Sequence, residues 1–145
     1  ASNLLDGAAP FYRCYRCADG RDVAVACLEP QFFAQMVKGL GLEDRHYDQN
    51  DRAGWPAMQA ELAAMFATRT RDEWAALFAQ SDACVTPVLS MAEAPLHPHN
   101  RARQSFVQRG GIAQPAPAPR TLGTPPSISE PGVLSTAGAI ARWSA

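Results

Sequence analysis

Apolar and polar positions alternate from Phe11 to Cys17 and again from Asp22 to Cys27, the period-two pattern of β-strands. Between the two runs, Ala18-Asp19-Gly20-Arg21 carries Asp-Gly, a strong hairpin signal. The period then changes. Phe32, Phe33, Met36, Val37 and Leu40 recur at helical spacing, which predicts a helix from Pro30 to about Lys38, stopped by Gly39 and Gly41. A polar, irregular stretch covers Glu43 to Ala53. A second helix is predicted from about Trp55 to Ala67, with Met58, Leu62, Met65 and Phe66 inward. Thr70-Arg71-Asp72-Glu73 has the spacing of a capping box, Thr70 as N-cap and Glu73 reaching back. It opens a third helix through Trp74, Leu77 and Phe78 to about Gln80, with Arg69 to Glu73 read as a mostly solvated start. Ala83-Cys84-Val85-Thr86 reads as a short buried strand stopped by Pro87.

Beyond Ser90 the pattern weakens. Single helical turns are predicted over Ser90–Ala94 and His97–Arg103, and a strand over Ser105–Gln108 before Gly110-Gly111. Six prolines fall between Gln114 and Pro131, so that stretch reads as an extended strap without regular structure. A C-terminal helix from about Gly132 to Trp143 is interrupted by Gly138. The fold class is α+β: a small antiparallel sheet starting with a β-hairpin, about three helices, and a proline-rich C-terminal arm. The expected organisation is a small domain over residues 1–112 and an arm with a short helix over residues 113–145 that packs on another domain or subunit.

Composition narrows the function classes. The chain has 145 residues, 47% hydrophobic and 19% charged, enough to fill a core. Its formal net charge is −1 with no Lys/Arg stripe, which argues against nucleic acid as a partner. No apolar run approaches the roughly 20 residues of a membrane helix, so no membrane partner is expected. No signal peptide is visible, and the absence of an initial Met suggests a piece of a longer protein. Cys14, Cys17, Cys27 and Cys84 read as reduced thiols of a cytoplasmic protein. Cys14-x-x-Cys17 is the sole such pair, whereas a structural zinc site needs four ligands, and residues three apart in a strand face opposite ways. No metal is expected. His97 and His99 flank Pro98 in a polar stretch and read as surface or capping residues, and His46 as solvated.

Glu29 is the leading chemical candidate. It lies where the second strand gives way to a helix that Pro30 opens, because proline's fixed φ suits the first helical position. A carboxylate there meets the partial positive charge of the helix N-terminus, commonly a merely structural role.

The ordered segments Asn3-Leu4-Leu5-Asp6-Gly7, Ala9-Pro10-Phe11-Tyr12, Cys17-Ala18-Asp19-Gly20 and Glu29-Pro30-Gln31-Phe32-Phe33 resemble α-methylacyl-CoA racemases, within the family III CoA-transferase superfamily. The resemblance continues through Gln49-Asn50-Asp51-Arg52, Ser81-Asp82-Ala83-Cys84-Val85-Thr86-Pro87-Val88, His97-Pro98-His99-Asn100 and Pro117-Ala118-Pro119-Arg120. One departure stands out: the family has Gly-Gly before Ala-Pro-Phe-Tyr, whereas Gly7 is followed here by Ala8, which a positive φ would strain.

The resemblance implies a two-domain enzyme, of which this chain is the small domain. A large Rossmann-like domain would bind CoA, and interlocked homodimers would place the active site between the large domain of one subunit and the small domain of the other. The implied reaction, an isomerisation in fatty acid metabolism, interconverts (2R)- and (2S)-2-methylacyl-CoA without metal or organic cofactor. A proton α to a thioester is weakly acidic, so its removal needs a placed base and a stabilised enolate. The family takes a His and an Asp for this from the large domain. Glu29 matches the family glutamate that approaches that His, and Leu28 and Tyr12 match positions near the acyl group. Cys84 lies in a family motif but reads more simply as a buried thiol. The isolated chain is expected to be inactive. Two other classes remain open: the small domain of a CoA-transferase working through an aspartyl-CoA thioester, and a non-catalytic dimerisation or interaction module with the arm as its strap.

Overall fold

A computed structural model describes residues 3–120, residue 128 and residues 135–143, which fall in two compact units, Ala1–Leu89 and Ser90–Ala145. In the first unit, strands β1 (Tyr12–Arg16) and β2 (Asp22–Ala26) form the expected hairpin, with Tyr12 opposite Ala26 and Arg16 opposite Asp22. Gly20 takes the left-handed conformation (φ 74°) that the tight turn requires, and the Cys17 amide closes the turn on the Arg21 carbonyl at 2.8 Å. Strand β3 (Val85–Pro87) joins β2 antiparallel, giving the order β1-β2-β3. It extends one residue beyond the expected stop, because Pro87 at the end of an edge strand removes no needed ladder bond.

The alternation decides what the sheet buries. Tyr15, Val23 and Val25 turn inward, whereas Cys14 is exposed. Against this face pack helices α1 (Pro30–Leu40), α2 (Trp55–Phe66) and α3 (Arg71–Phe78). Phe66 stacks on Tyr15 at 5.0 Å and meets Trp74 edge-on at 5.4 Å, and Trp74 in turn stacks on Phe78. The Tyr15 hydroxyl donates to the Pro10 carbonyl at 2.5 Å, and the Trp74 indole to the Phe66 carbonyl at 2.9 Å, so both buried polar groups are satisfied. The capping box forms as read: the Glu73 amide donates to Thr70 Oγ1, and the Thr70 amide to Glu73 Oε2 at 2.8 Å.

Three local expectations change. Helix α1 runs through Gly39 to Leu40 and ends at Gly41, whose φ of 70° fits a left-handed C-cap. Gly39 is there for closeness, since a Cβ on it would collide with the Phe78 ring of α3. Arg71 is 5% exposed and not part of a solvated face: its Nε donates to Asp72 and its Nη1 to the Val88 carbonyl at 2.9 Å, tying α3 to the end of β3. At the departure from the family pattern, Gly7 takes the positive φ (89°) and Ala8 does not, so no strain arises.

In the second unit, a 3₁₀ turn (Ala94–Leu96) precedes helix α4 (Pro98–Ala102), and strands β4 (Phe106–Arg109) and β5 (Ile112–Pro115) pair antiparallel around Gly110-Gly111, both at positive φ. Regular structure thus reaches Pro115, two residues into the segment read as an unstructured strap. The Arg120 guanidinium donates to the carbonyls of Arg103 and Gln104, where α4 ends. Helix α5 (Thr136–Trp143) passes through Gly138. Five α-helices are therefore present among the described residues, against about three expected, and the three that pack on the sheet are α1 to α3. The later prolines, Pro125, Pro126 and Pro131, and the expected helix start at Gly132 lie outside the described residues.

Candidate functional site

Ala26 ends β2 and Pro30 begins α1, so three residues make the junction. Glu29 is the helix N-cap, with extended backbone (φ −76°, ψ 140°), and its carbonyl accepts from the Phe32 and Phe33 amides at 3.0 Å. Its side chain makes no capping hydrogen bond and is exposed. The carboxylate thus feels the positive end of the helix while holding none of its amides.

The backbone below it is held tightly. The Cys27 amide donates to the Phe11 carbonyl at 2.9 Å, and the Ala26 amide to the Cys84 carbonyl at 3.0 Å. The Cys27 thiol is fully buried and donates to the Ala83 carbonyl; burial pushes it up to about 12. The carbonyls of Cys27 and Leu28 accept from one donor, the Gln49 side-chain amide, at 3.1 and 3.2 Å. The Gln49 backbone is itself held, since its main-chain carbonyl accepts from the Trp55 indole at 3.0 Å. Trp55 packs edge-on against Phe11 at 5.6 Å and lies under the Arg52 guanidinium.

Cys84 is half-buried, not buried as expected, and takes a left-handed φ of 50°. Burial, and then the charges of Glu29 and Asp82, raise its thiol above the ordinary value. The Glu29 carboxylate therefore lies near enough to influence it electrostatically.

Leu28 and Tyr12 are both half-buried but open into different depressions. Leu28 lines a cleft of about 410 Å³ with Phe11, Pro30, Gln49, Arg52 and Trp55. Tyr12 lines one of about 610 Å³ on the outer sheet face, with Leu5, Cys14, Ala24 and Ala26. Glu29 stands beside Leu28 in the chain and lines neither depression. His46 is exposed, whereas His97 and His99 belong to the second unit. Among the described residues no three His, Cys, Asp or Glu side chains are grouped to hold a metal ion, and no helix is long and apolar enough to cross a membrane. Gln49 is the residue that sequence reasoning passed over: it sat inside a matching segment, but nothing local marks a glutamine whose partners lie about twenty positions away.

Comparison with known proteins places the chain in context. The model of CoA-transferase family III matches residues 2–136. Alpha-methylacyl-CoA racemase of Mus musculus is 47% identical over 136 residues, covering 90% of this chain and 36% of its own length. The Homo sapiens protein of that name is 46% identical over 125 residues, covering 85% of this chain and 33% of its own. A CaiB/baiF CoA-transferase family protein of Caenorhabditis elegans is 34% identical, covering 79% of this chain and 33% of its own. The chain therefore spans about a third of the length of the curated relatives it matches. A solved mutant form of Rv3272 from Mycobacterium tuberculosis shares the fold, with a TM-score of 0.68 at 17% identity, over 89% of this chain and 38% of that one.

Proposed function

The chain belongs to CoA-transferase family III, and from that premise we propose that it is the small domain of an α-methylacyl-CoA racemase, extending over residues 1–112 with an arm over 113–145. The observation that carries the reading is identity of 47% and 46% to two proteins of that name. The geometry of Glu29 agrees with it, since an exposed N-cap carboxylate that caps nothing is available to a group outside this unit.

In this reading the substrate is a 2-methylacyl-CoA thioester. A base removes the C2 proton, the electron pair moves into the thioester to form an enolate, and a proton returned on the opposite face inverts the carbon. A His and an Asp from the rest of the protein do this work, and no metal or organic cofactor takes part. Glu29 orients or charge-balances the imidazole, as a carboxylate does for other catalytic histidines. Leu28 and Tyr12 border the acyl group. The protein acts as a homodimer in the cytoplasm, in fatty acid metabolism, with the site shared between subunits.

The test is C2 proton exchange and epimerisation of 2-methylacyl-CoA in deuterated water, using the full-length protein encoded by the reading frame that contains this chain. Glu29→Gln should slow exchange on the order of a hundredfold, less than the loss of about ten-thousandfold when the carboxylate orienting a triad histidine becomes an amide. Robust exchange by the 145-residue chain alone would overturn its role as one part of a composite site. The 34% identity to a CoA-transferase family protein favours a second reading, CoA transfer. Transfer of CoA to a free acid without C2 exchange would establish it in place of the first.

A further inference from the structure

The strand-to-helix junction has a backbone problem that one side chain solves. Between β2 and α1 the chain leaves the ladder at Ala26 and has not entered the helix until Pro30. The Cys27 and Leu28 carbonyls fall in this gap, and Pro30 has no N–H to offer. Partly buried carbonyls without donors are costly and free to reorient. The Gln49 amide nitrogen donates to both, at 3.1 and 3.2 Å. The main-chain carbonyl of Gln49 accepts from the Trp55 indole, which holds the backbone from which the side chain reaches. Trp55 is buried against Phe11, whose carbonyl in turn holds the Cys27 amide. The links form a closed ring: Gln49 to Cys27 and Leu28, Cys27 to Phe11, Phe11 to Trp55, and Trp55 back to Gln49.

We propose that Gln49 is a positioning residue for Glu29 and Leu28. By fixing the two peptide planes before Glu29, it sets the direction in which the Glu29 carboxylate leaves the junction and the face that Leu28 turns to its cleft. Gln49 also lines the cleft that Leu28 opens into, but in this scheme it acts through the backbone, by its bonds to the Cys27 and Leu28 carbonyls. The inference rests on the racemase reading for what Glu29 does, but not for the clamp itself.

The test uses the full-length protein with Gln49→Leu, Glu29→Gln and the double variant, followed by C2 exchange kinetics and by amide hydrogen exchange. Gln49→Leu should lower kcat about tenfold, the equivalent of about 1.4 kcal/mol, a loss of the order of one or two hydrogen bonds. KM should change little. The double variant should be no slower than Glu29→Gln alone, because residues acting as one unit are not additive. Amide exchange at Phe32 and Phe33, whose N–H groups bond to the Glu29 carbonyl, should quicken in Gln49→Leu. Additive losses, or a raised KM with kcat intact, would overturn the positioning role. So would unchanged kcat together with unchanged protection of those amides. If Glu29→Gln leaves the rate intact, the assigned role of Glu29 fails and with it the coupling, whereas the clamp stands or falls on the amide exchange alone.

Discussion

Gly39→Ala should destabilise the first unit, although the substitution lies inside a helix and favours helix formation. Two opposed terms decide the sign. Alanine is preferred to glycine in a helix interior by about 1 kcal/mol. Against that, a Cβ at residue 39 would lie 2.9 Å from Phe78 Cζ and closer still to Cε1. Phe78 cannot swing aside cheaply, because it is 3% exposed and stacked on Trp74 at 6.2 Å. Forcing one methyl into such a site costs about 1–3 kcal/mol. The net is a loss of about 1 kcal/mol, or roughly 4–8 °C in Tm for a unit of this size. Thermal and urea unfolding followed by tryptophan fluorescence would measure it, since Trp55 and Trp74 are both buried here. A second variant isolates the cause: with Phe78→Leu in place, Gly39→Ala should become neutral or stabilising by up to about 1 kcal/mol, because the helix term then acts alone. A rise in stability with Phe78 intact would refute the steric argument, and with it the account of how closely α1 and α3 approach.

The other predictions test the core, the buried cation and the junction. Cys27 is raised chiefly by burial, so the protonated thiol is the stable folded form; its contribution is complete below its ordinary value of 9.0 and is lost as pH rises toward about 12. The urea midpoint should therefore fall above pH 9, with a shallower slope in Cys27→Ala even if its absolute stability is lower. Arg71→Met should cost about 1–3 kcal/mol by stripping the Val88 carbonyl of its donor, whereas Asp72→Ala, at an exposed position, should cost about 1 kcal/mol or less. Glu29→Ser should leave stability unchanged or raised by about 0.5 kcal/mol, since serine is a better N-cap, while lowering the rate of the full-length protein as expected for Glu29→Gln. Calorimetry on both variants reads the first outcome, and a marked fall in Tm would show that the Glu29 side chain serves the fold.

Local signals were legible in the chain, and contacts between distant positions were not. Asp19-Gly20 and the alternation around it carry the hairpin to within one residue at each end, because a two-strand register depends on the turn and the pleat alone. Thr70 and Glu73 announce their capping box for the same reason: both partners sit within one turn. Gly39 was misread because a glycine that ends a helix and one that lets another helix approach look alike in sequence; Phe78, which decides between them, is remote in the chain. Arg71 was read as solvated from its neighbours, but its Nη1 partner is Val88 on another element. Glu29, Leu28 and Tyr12 came from resemblance to a family, and periodicity alone would have left Glu29 a helix-start carboxylate. Gln49 needed coordinates, since its bonds are to backbone carbonyls, which carry no residue-type signature.

The junction shows how a helix start can be spared from capping duty. A helix entered from a strand leaves unpaired amides at its start and unpaired carbonyls just before it. Serine, threonine, aspartate or asparagine at the N-cap would serve the amides with its own side chain. Here Pro30 removes one donor outright, and the Glu29 main-chain carbonyl takes the amides of Phe32 and Phe33. Gln49 supplies the carbonyls from outside. The Glu29 carboxylate is left exposed, beside the positive end of α1. Pro30, Gln49 and Trp55 thus hold the junction without the Glu29 side chain, and that division predicts that losing the Glu29 carboxylate costs function while losing Gln49 or Trp55 costs both function and stability.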